Sequence, residues 1–192
     1  MPIPEFIVDL RRHVGHAELW LIGVTAIVLR GDPAAPDDPA RRQVLLVRRS
    51  DNGQWTPVTG IVDPGETPAA AAPREVLEET RVTARIERLV WVNAYGPVTH
   101  VNGDRARYLD HTLLCSWVSG EPQVGDDEST DTGWFALDDL PPMHEVFRGR
   151  LATALTQPAE AGCHLGPDPL PGPAGVNWRA AEAAPDAPER VV

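Results

Sequence analysis

The apolar positions of the chain recur with two different periods, which predicts a mixture of helices and strands. Helices are predicted at 4–14, 68–80 and 142–155, each from an apolar side repeating every three or four residues. Thr67 is a suitable N-cap for the second helix, with Pro68 at its first position. Runs rich in β-branched residues predict strands at 19–29, 44–47, 89–95, 108–118 and 134–137.

The order of these elements predicts one α/β domain with flanking segments. Strands interleaved with helices favour a mixed β-sheet between two helical layers, over residues 18–156. Residues 1–17 are predicted to form an N-terminal helical extension. Residues 157–192 are rich in Pro, Ala and Gly without periodicity, which predicts a disordered C-terminal tail.

The charge of the chain limits the partners it can bind. The formal net charge is −11, and hydrophobic and charged residues make up 42% and 23%, an ordinary balance for a globular protein. Such an acidic chain lacks the basic surface that a nucleic-acid polymer needs. A small anionic substrate remains compatible with it, because acidic residues can hold metal ions that neutralise phosphates.

Cysteine usage and the first apolar run bear on location. Cys115 and Cys163 lie far apart in sequence and are predicted to be free thiols in a reducing compartment. The run at 19–29 follows two arginines, as in a signal sequence, but it is too short to span a bilayer. We therefore expect a buried strand there, no association with a membrane, and a cytoplasmic protein.

The helix predicted at 68–80 carries a cluster of glutamates. Each helical residue advances by about 100°, so Glu79 lies at about 40° and Glu78 at about −60° from Glu75. Carboxylates this close repel each other, so either they form a solvated acidic face beside Arg74 or a hard cation offsets the repulsion. The opposite side of the helix, which is predicted to face the core, carries Ala69, Val76, Leu77 and Thr80.

A longer spacing favours the cation. The stretch resembles the Nudix box, in which a glycine, a glutamate, Arg-Glu, an aliphatic residue, Glu-Glu, a glycine and a second aliphatic residue follow at fixed intervals. The matching positions, spread over 23 residues, are Gly60, Glu66, Arg74, Glu75, Val76, Glu78, Glu79 and Val82. Arg81 stands where the box has its last glycine. The chain is therefore identified as a member of the Nudix hydrolase family.

The resemblance implies both a fold and an activity. The fold is a Nudix-type α/β/α sandwich in which the box forms a catalytic loop–helix–loop. The activity is hydrolysis of a phosphoanhydride bond in a nucleoside diphosphate linked to another moiety, with Mg²⁺ or Mn²⁺ as cofactor. Arg74 is implied to orient a glutamate through a salt bridge. The implied metal ligands are the Gly60 carbonyl, Glu75, Glu78, Glu79 and Glu128.

A later acidic loop, residues 125–129, supplies candidates for the general base that the hydrolysis needs. Glu128 is the first choice and Asp127 the second, and Glu75 could itself serve. Without the resemblance, a loop rich in Asp, Glu and Ser would be read as a solvated turn.

Residues outside the box are candidate substrate ligands. Arginines grip phosphate and aromatic rings stack on bases, which points to Arg49, Trp55, His100 and Arg105. Pro97, fifteen residues beyond the box, is similar to family members that act on ADP-ribose. An ADP-ribose-like compound and a nucleoside triphosphate are the expected substrates. Dimers are common in the family, so a homodimer is compatible with the resemblance.

Two residues depart from a regular catalytic helix. Pro73 removes one helical hydrogen bond, which costs ~3 kcal/mol in a helix interior, and a kink there would rotate Glu75 relative to Glu78. Arg81 would have to adopt the left-handed conformation that glycine adopts readily. If these residues displace the glutamates, the alternative function is a Nudix-fold nucleotide-binding or regulatory domain with little catalysis.

Overall fold

The computed structural model describes residues 3–31, 42–156, 162–173 and 176. Its helices are α1 (Glu5–Val14), α2 (Pro68–Thr80) and α3 (Glu145–Thr156). Its strands are β1 (Leu19–Arg30), β2 (Gln43–Arg49), β3 (Trp55–Thr56), β4 (Val58–Ile61), β5 (Thr83–Thr99), β6 (Arg105–Ser119) and β7 (Ser129–Ala136). Within the described ranges, no helix is both long and apolar enough to cross a membrane.

The strands form a mixed sheet. Its main path runs β3-β2-β1-β6-β5, while β4 pairs with β1 and β7 pairs with β2. The long β1–β6 pairing is parallel, from Leu19 opposite Ala106 to Leu29 opposite Ser116. The remaining pairings are antiparallel. The parallel pairing brings the first residues of β1 and β6 to the same end of the sheet.

Strand β1 is buried on both faces, which explains its uninterrupted apolar run. Val24 and Val28 belong to a cluster that includes Val76 of α2. Ile27, on the opposite face, belongs to a cluster that includes Phe147 of α3. Helices α2 and α3 therefore cover opposite faces of the sheet, and the predicted α/β/α sandwich is confirmed.

Helix α1 packs over the end of the sheet where β1 and β6 begin. Its buried residue Ile7 joins a third apolar cluster that contains Leu21 and Ala106. The other side of the helix exposes polar residues such as Asp9 and Arg12. The helix predicted at 4–14 is therefore confirmed, and it contacts the sheet directly.

Several elements differ in extent from their predictions. Strand β5 begins at Thr83 instead of 89. Its first six residues alternate between exposed and more buried side chains, and the exposed ones are polar or charged, so no continuous apolar run marks this part of the strand. Strand β7 begins at Ser129 instead of 134, and α3 begins at Glu145 instead of 142. Strands β3 and β4 are two and four residues long, too short for a period to be visible in the sequence.

The buried side of α2 also differs from its prediction. Val76 and Thr80 are buried as expected, but Leu77 is 47% exposed and Ala69 is exposed as well. The helix is rotated so that part of its acidic side faces inward. Its buried residues are Ala71, Ala72, Glu75, Val76, Glu79 and Thr80.

Part of the C-terminal segment packs against strand β5. We call residues 162–173 the strap. The amide of His164 donates to the carbonyl of Val90 at 2.8 Å, and the amide of Val92 donates to the carbonyl of His164 at 3.2 Å. The strap is ordered by backbone hydrogen bonds to β5, unlike the disordered tail predicted for 157–192. The sequence of this segment has no periodic apolar positions from which such pairing could be predicted. Nearly all the rest of that range lies outside the described residues.

Candidate active site

The helix predicted to carry the glutamates is α2, and its bounds, Pro68–Thr80, agree with the prediction. The hydroxyl of Thr67 caps its start by accepting a hydrogen bond from the amide of Ala70 at 3.2 Å. Arg81 ends it with φ 59° and ψ 12°, and its amide donates to the carbonyl of Leu77 at 3.0 Å. Arg81 therefore takes the left-handed conformation of the glycine it replaces, and the helix end is preserved.

Pro73 does not interrupt α2, which is continuous on both sides of it. Glu75 and Glu78 both lie within hydrogen-bond distance of one nitrogen, Nη1 of Arg74, at 3.0 and 3.1 Å. The expected rotation of Glu75 away from Glu78 therefore does not occur.

Arg74 joins three glutamates of the box. Its Nε and Nη2 each donate to one carboxylate oxygen of Glu66 at 2.9 Å, a bidentate pairing. Its Nη1 contacts Glu75 and Glu78, and its Nη2 also donates to the carbonyl of Ile61 at 3.3 Å. The hydrogen bonds from Arg74 lower the pKa of Glu66. The arginine thus ties the loop before α2 to the acidic side of the helix.

Gly60 lies in strand β4, where it is opposite Val24 of β1, and not in the loop predicted from the sequence. A Cβ atom at this position would lie 2.2 Å from Cδ of Glu75. No side chain fits in that space, so the close approach of the Glu75 carboxyl group explains why the box begins with a glycine.

Two glutamates of α2 are almost completely buried, since Glu75 and Glu79 are each 4% exposed. Burial raises the pKa of Glu75 to about 7, although Arg74 acts in the opposite direction. Burial, assisted by the charge of Glu128, raises the pKa of Glu79 to about 8. The hydroxyl of Ser129 donates to Glu79 at 3.3 Å. Buried carboxylates with raised pKa values are typical of functional sites.

The loop before β7 packs on the end of α2. The amide of Gly125 donates to the carbonyl of Glu79 at 2.8 Å, and the guanidinium of Arg81 donates to the carbonyl of Gly125. A Cβ atom at Gly125 would lie 1.8 Å from the carbonyl oxygen of Glu78. This contact brings Glu128 close to the glutamates of α2. A single glycine in an acidic loop does not indicate from sequence that the loop packs against a helix, so the role of Gly125 could not be predicted.

A cavity of about 430 Å³ opens beside these residues. Gly60, Glu75 and Glu128 line one end of it, whereas Asp127 is not part of its lining. The cavity continues past Arg49 and then His100 toward helix α1. The structure therefore brings Glu128, and not Asp127, to the cavity that Glu75 also lines.

Two of the four predicted substrate ligands lie elsewhere. Trp55 packs edge-on against Phe135, with ring centroids 4.7 Å apart, in the apolar cluster on the α3 face. Arg105 donates from its Nε to the carbonyl of His16 at 3.3 Å. Neither side chain lines the cavity. The structure therefore places Trp55 in core packing and Arg105 against the end of α1, away from the cavity, and their role as substrate ligands stays a prediction.

The other two predicted ligands, Arg49 and His100, line the cavity. The guanidinium of Arg49 pairs with the carboxylate of Asp51 at 3.1 Å. Nε2 of His100 lies 2.9 Å from the hydroxyl of Tyr108, in hydrogen-bond contact. Burial lowers the pKa of His100, which favours its neutral form. The cavity wall thus offers a neutral imidazole next to a phenol.

A buried ion pair contributes to the far wall and was not predicted. Arg150 of α3 is 3% exposed, and its Nη2 lies 3.3 Å from Oδ2 of Asp110. Its Nη1 donates to the hydroxyl of Thr25 at 2.9 Å. An arginine on the apolar stripe of a predicted helix is the signal that could have indicated it, because arginines are seldom buried unless they are paired.

The glutamates of α2 and the Gly60 carbonyl have donor atoms of the kind that bind a divalent cation. The Gly60 carbonyl and the Glu75, Glu78 and Glu79 carboxylates form an all-oxygen set, which suits a hard divalent cation. Among the described residues, no three His, Cys, Asp or Glu side chains are already grouped as a cation site. Arg74 forms ion pairs with Glu75 and Glu78. The donor atoms of these residues are therefore of the type that a hard divalent cation prefers.

Comparison with known proteins places the chain in a family. Residues 23–155 match the family model described as the NUDIX domain. This chain belongs to the Nudix hydrolase family. The identification made from the box is confirmed, and with it the enzyme class, a pyrophosphohydrolase acting on nucleotides.

Individual relatives show how far the similarity extends. A MutT-like protein from Streptomyces ambofaciens is 29% identical over 138 residues, covering 71% of this chain and 78% of that protein. The NAD-capped RNA hydrolase NudC of Pseudomonas syringae is 34% identical over 122 residues, but the match covers 61% of this chain and 36% of that protein. The solved structure of a MutT Nudix hydrolase from Burkholderia pseudomallei aligns with a TM-score of 0.54 at 28% identity, covering 70% and 97% of the two chains.

Proposed function

We propose that this Nudix hydrolase cleaves a phosphoanhydride bond in a nucleoside diphosphate linked to a second moiety, with Mg²⁺ or Mn²⁺ as cofactor. The observation that carries the proposal is the pair of buried glutamates on α2, Glu75 and Glu79, of which Glu75 lines a cavity of about 430 Å³ together with Glu128. Small-molecule sites typically occupy about 300–1,000 Å³. The similarity to a protein named as an NAD-capped RNA hydrolase supports a substrate of this kind.

The proposed metal ligands are the carbonyl of Gly60 and the carboxylates of Glu75, Glu78, Glu79 and Glu128. A divalent cation bound there would supply a Lewis acid for the diphosphate and a water of lowered pKa. The carboxylates stay grouped because Arg74 and the packing of α2 hold them on one side of the helix.

Glu128 is proposed as the general base. Its side chain lines the cavity together with Glu75, whereas Asp127 does not. A carboxylate oxygen of Glu128 would accept a proton from the attacking water as its oxygen bonds to phosphorus and the bond from phosphorus to the bridging anhydride oxygen breaks, releasing the other phosphate. Glu75 is less suited to this role because Arg74 donates to one of its oxygens at 3.0 Å.

We favour catalysis over a binding or regulatory function because Pro73 and Arg81 do not disturb the arrangement of the glutamates on α2. Helix α2 is continuous across Pro73, and Arg81 ends it in the left-handed conformation. Neither residue separates Glu75 from Glu78, which share one nitrogen of Arg74. The displacement on which the non-catalytic alternative depends is therefore missing from α2.

The proposed substrate is an ADP-ribose-like compound or a nucleoside triphosphate, since both contain a nucleoside diphosphate. The net charge of −11 supports a small nucleotide over a nucleic-acid polymer. Cys115 and Cys163 are free thiols, which supports the cytoplasm as the compartment. A homodimer stays a proposal based on the family alone.

A nucleotide panel with Mg²⁺ or Mn²⁺ tests the function. Products are separated by mass spectrometry, so that ADP-ribose is expected to yield AMP and ribose 5-phosphate, and a triphosphate to yield a monophosphate and pyrophosphate. The activity of Glu78→Gln should fall by more than the roughly 10–100-fold that removal of an outer-shell partner of a metal site costs. Asp127→Asn serves as the matched control. Turnover that persists in Glu78→Gln, or in chelator, would contradict the metal site. A panel without any turnover would favour the binding domain.

A further inference from the structure

The cavity is built partly from residues that precede the family domain. Ile3, Pro4, Ile7 and Arg11 line its far end, and the Nudix match begins only at residue 23. The helix predicted as an extension therefore contributes a wall to the proposed active site. A wall that precedes the residues matching the family model can determine which substrates fit.

The two ends of the cavity differ in polarity. The end formed by Glu75 and Glu128 is acidic, and it lies where the diphosphate and the cation are proposed to bind. The end under α1 is mainly apolar, with Ile7, Leu21 and Ala106 in its lining, and its charged lining residues Arg11 and Asp104 pair with each other. A phosphate or a sugar alone gains little from such a surface, whereas a flat, weakly polar ring gains from its burial.

Apolar side chains at this end remain available for contact. Ile3 and Val101 line the cavity and are 50% and 67% exposed. The ring of Tyr108 lies in the same apolar cluster as Ile7, and its hydroxyl is held by His100 at 2.9 Å. Rigid aromatic and aliphatic surfaces of this kind bind the faces of bases without selecting strongly among them.

The wall is fixed in place by charged contacts with the β5–β6 hairpin. The guanidinium of Arg11 donates to the carbonyl of Arg105 at 2.8 Å, and its Nε lies 3.4 Å from the carboxylate of Asp104. Nδ1 of His16, which follows α1, lies 2.7 Å from the same carboxylate. Because α1 is anchored on the sheet side and the hairpin side, its apolar face is preorganised over the cavity.

We propose that α1 and the hairpin tip form a nucleobase-binding subsite. The base of the substrate lies against Ile3, Ile7 and Tyr108, while its diphosphate reaches the glutamates of α2. The inference rests on the proposed function for the position of the diphosphate. It adds that affinity for the nucleoside half of the substrate comes from an element that the family domain does not contain.

The test compares two kinds of non-hydrolysable probe, a diphosphate analogue without a nucleoside and the same analogue with one. Calorimetry with Mg²⁺ measures binding of methylenediphosphonate and of the α,β-methylene diphosphates of adenosine, guanosine, cytidine and uridine. Ile7→Asp places a charge on the wall, and Ile3→Asp does so at a half-exposed position that leaves the fold intact. Leu10→Asp, on the exposed side of α1 (43% exposed), is the matched control.

Both wall variants should bind the nucleoside probes about tenfold more weakly, a loss within the range of one base-stacking contact, and should bind methylenediphosphonate as the wild type does. Leu10→Asp should bind both kinds of probe normally. The subsite is refuted if the wall variants keep their affinity for every nucleoside probe, or lose both kinds of probe equally. It is also refuted if the wild type binds methylenediphosphonate as tightly as the nucleoside probes. None of these results depends on turnover, so the nucleotide panel judges the proposed hydrolysis separately.

Discussion

Gly60 and Glu75 fit together so closely that a single Cβ atom on the glycine would lie 2.2 Å from Cδ of the glutamate. The two residues come from different elements, β4 and the middle of α2. The spacing between Gly60 and Glu75 in the box therefore corresponds to a physical contact between a strand position that lacks a side chain and a buried carboxyl group. Any side chain at position 60 must push Glu75 away from its place beside Arg74.

Gly60→Ala is consequently expected to lower kcat/KM without unfolding the protein. Displacement of a catalytic group by about 1 Å can cost about 10²-fold in rate. Gly133→Ala in β7 is the control, because its Cβ would meet Cε2 of Phe135 at an ordinary 3.5 Å. Steady-state kinetics and thermal melting of both variants check the prediction. Wild-type kinetics in Gly60→Ala would show that the contact has no role in catalysis.

Arg74→Lys is expected to reduce both activity and stability. A lysine cannot reproduce the bidentate pairing with Glu66 while also contacting Glu75 and Glu78. Leaving these partly buried carboxylates without donors should lower the free energy of unfolding by about 1–3 kcal/mol. Arg85→Lys, whose side chain is 71% exposed beside Glu87, should leave the denaturation midpoint unchanged. Equal midpoints for Arg74→Lys and the wild type would contradict this role.

The stability of the metal-free protein should fall as the pH rises from about 4.5 to about 8. Burial raises the pKa of Glu79 to about 8 and that of Glu75 to about 7, from 4.5. The folded state therefore keeps protons that the unfolded chain has already released, and stability is lost as pH passes through the folded-state values. Glu79→Gln should weaken this slope but not abolish it, because Glu75 still titrates.

Thermal melting in chelator between pH 5 and pH 9 measures that slope. Added Mg²⁺ should raise the melting temperature most at the alkaline end, where the carboxylates are ionised and the cation binds only the folded state. A metal-free protein that becomes more stable with rising pH over this window would show that the two glutamates are not buried as described.

Glu128→Gln and Asp127→Asn form a matched pair for the general base. Removal of a general base typically costs about 10²–10⁴-fold in kcat, and we expect that loss for Glu128→Gln only. A larger loss of kcat in Asp127→Asn, or an unchanged kcat in Glu128→Gln, would assign the base to another carboxylate.

The bounds of α2 could be predicted because local chemistry fixes them. Thr67 caps the start, Pro68 suits the first position, and the box spacing places Arg81 at the end. The direction in which α2 faces could not be predicted the same way. A helical projection places Glu75 relative to Val76 but not relative to the sheet, and the natural assumption that carboxylates face solvent was wrong for this helix.

The shape of the cavity depends on contacts between residues distant in sequence. Gly125 touches the end of α2, and Arg150 of α3 pairs with Asp110 of β6, with no local pattern to mark either pairing. Trp55 and Arg105 show the converse, since their residue types suit substrate binding but packing and the end of α1 hold them elsewhere. Residue type alone could name candidates, and only the tertiary contacts could select among them.

The strap changes how the sheet can associate with other chains. Strand β5 stands at one end of the strand order, and open strand edges are templates for pairing between molecules. His164 occupies the backbone groups of Val90 and Val92, and the indole of Trp91 donates to the carbonyl of Gly166 at 2.8 Å. Two copies of the chain can therefore pair through the Val90–Val92 part of this edge only after their straps are displaced, so the strap protects that part of the edge from pairing with another molecule.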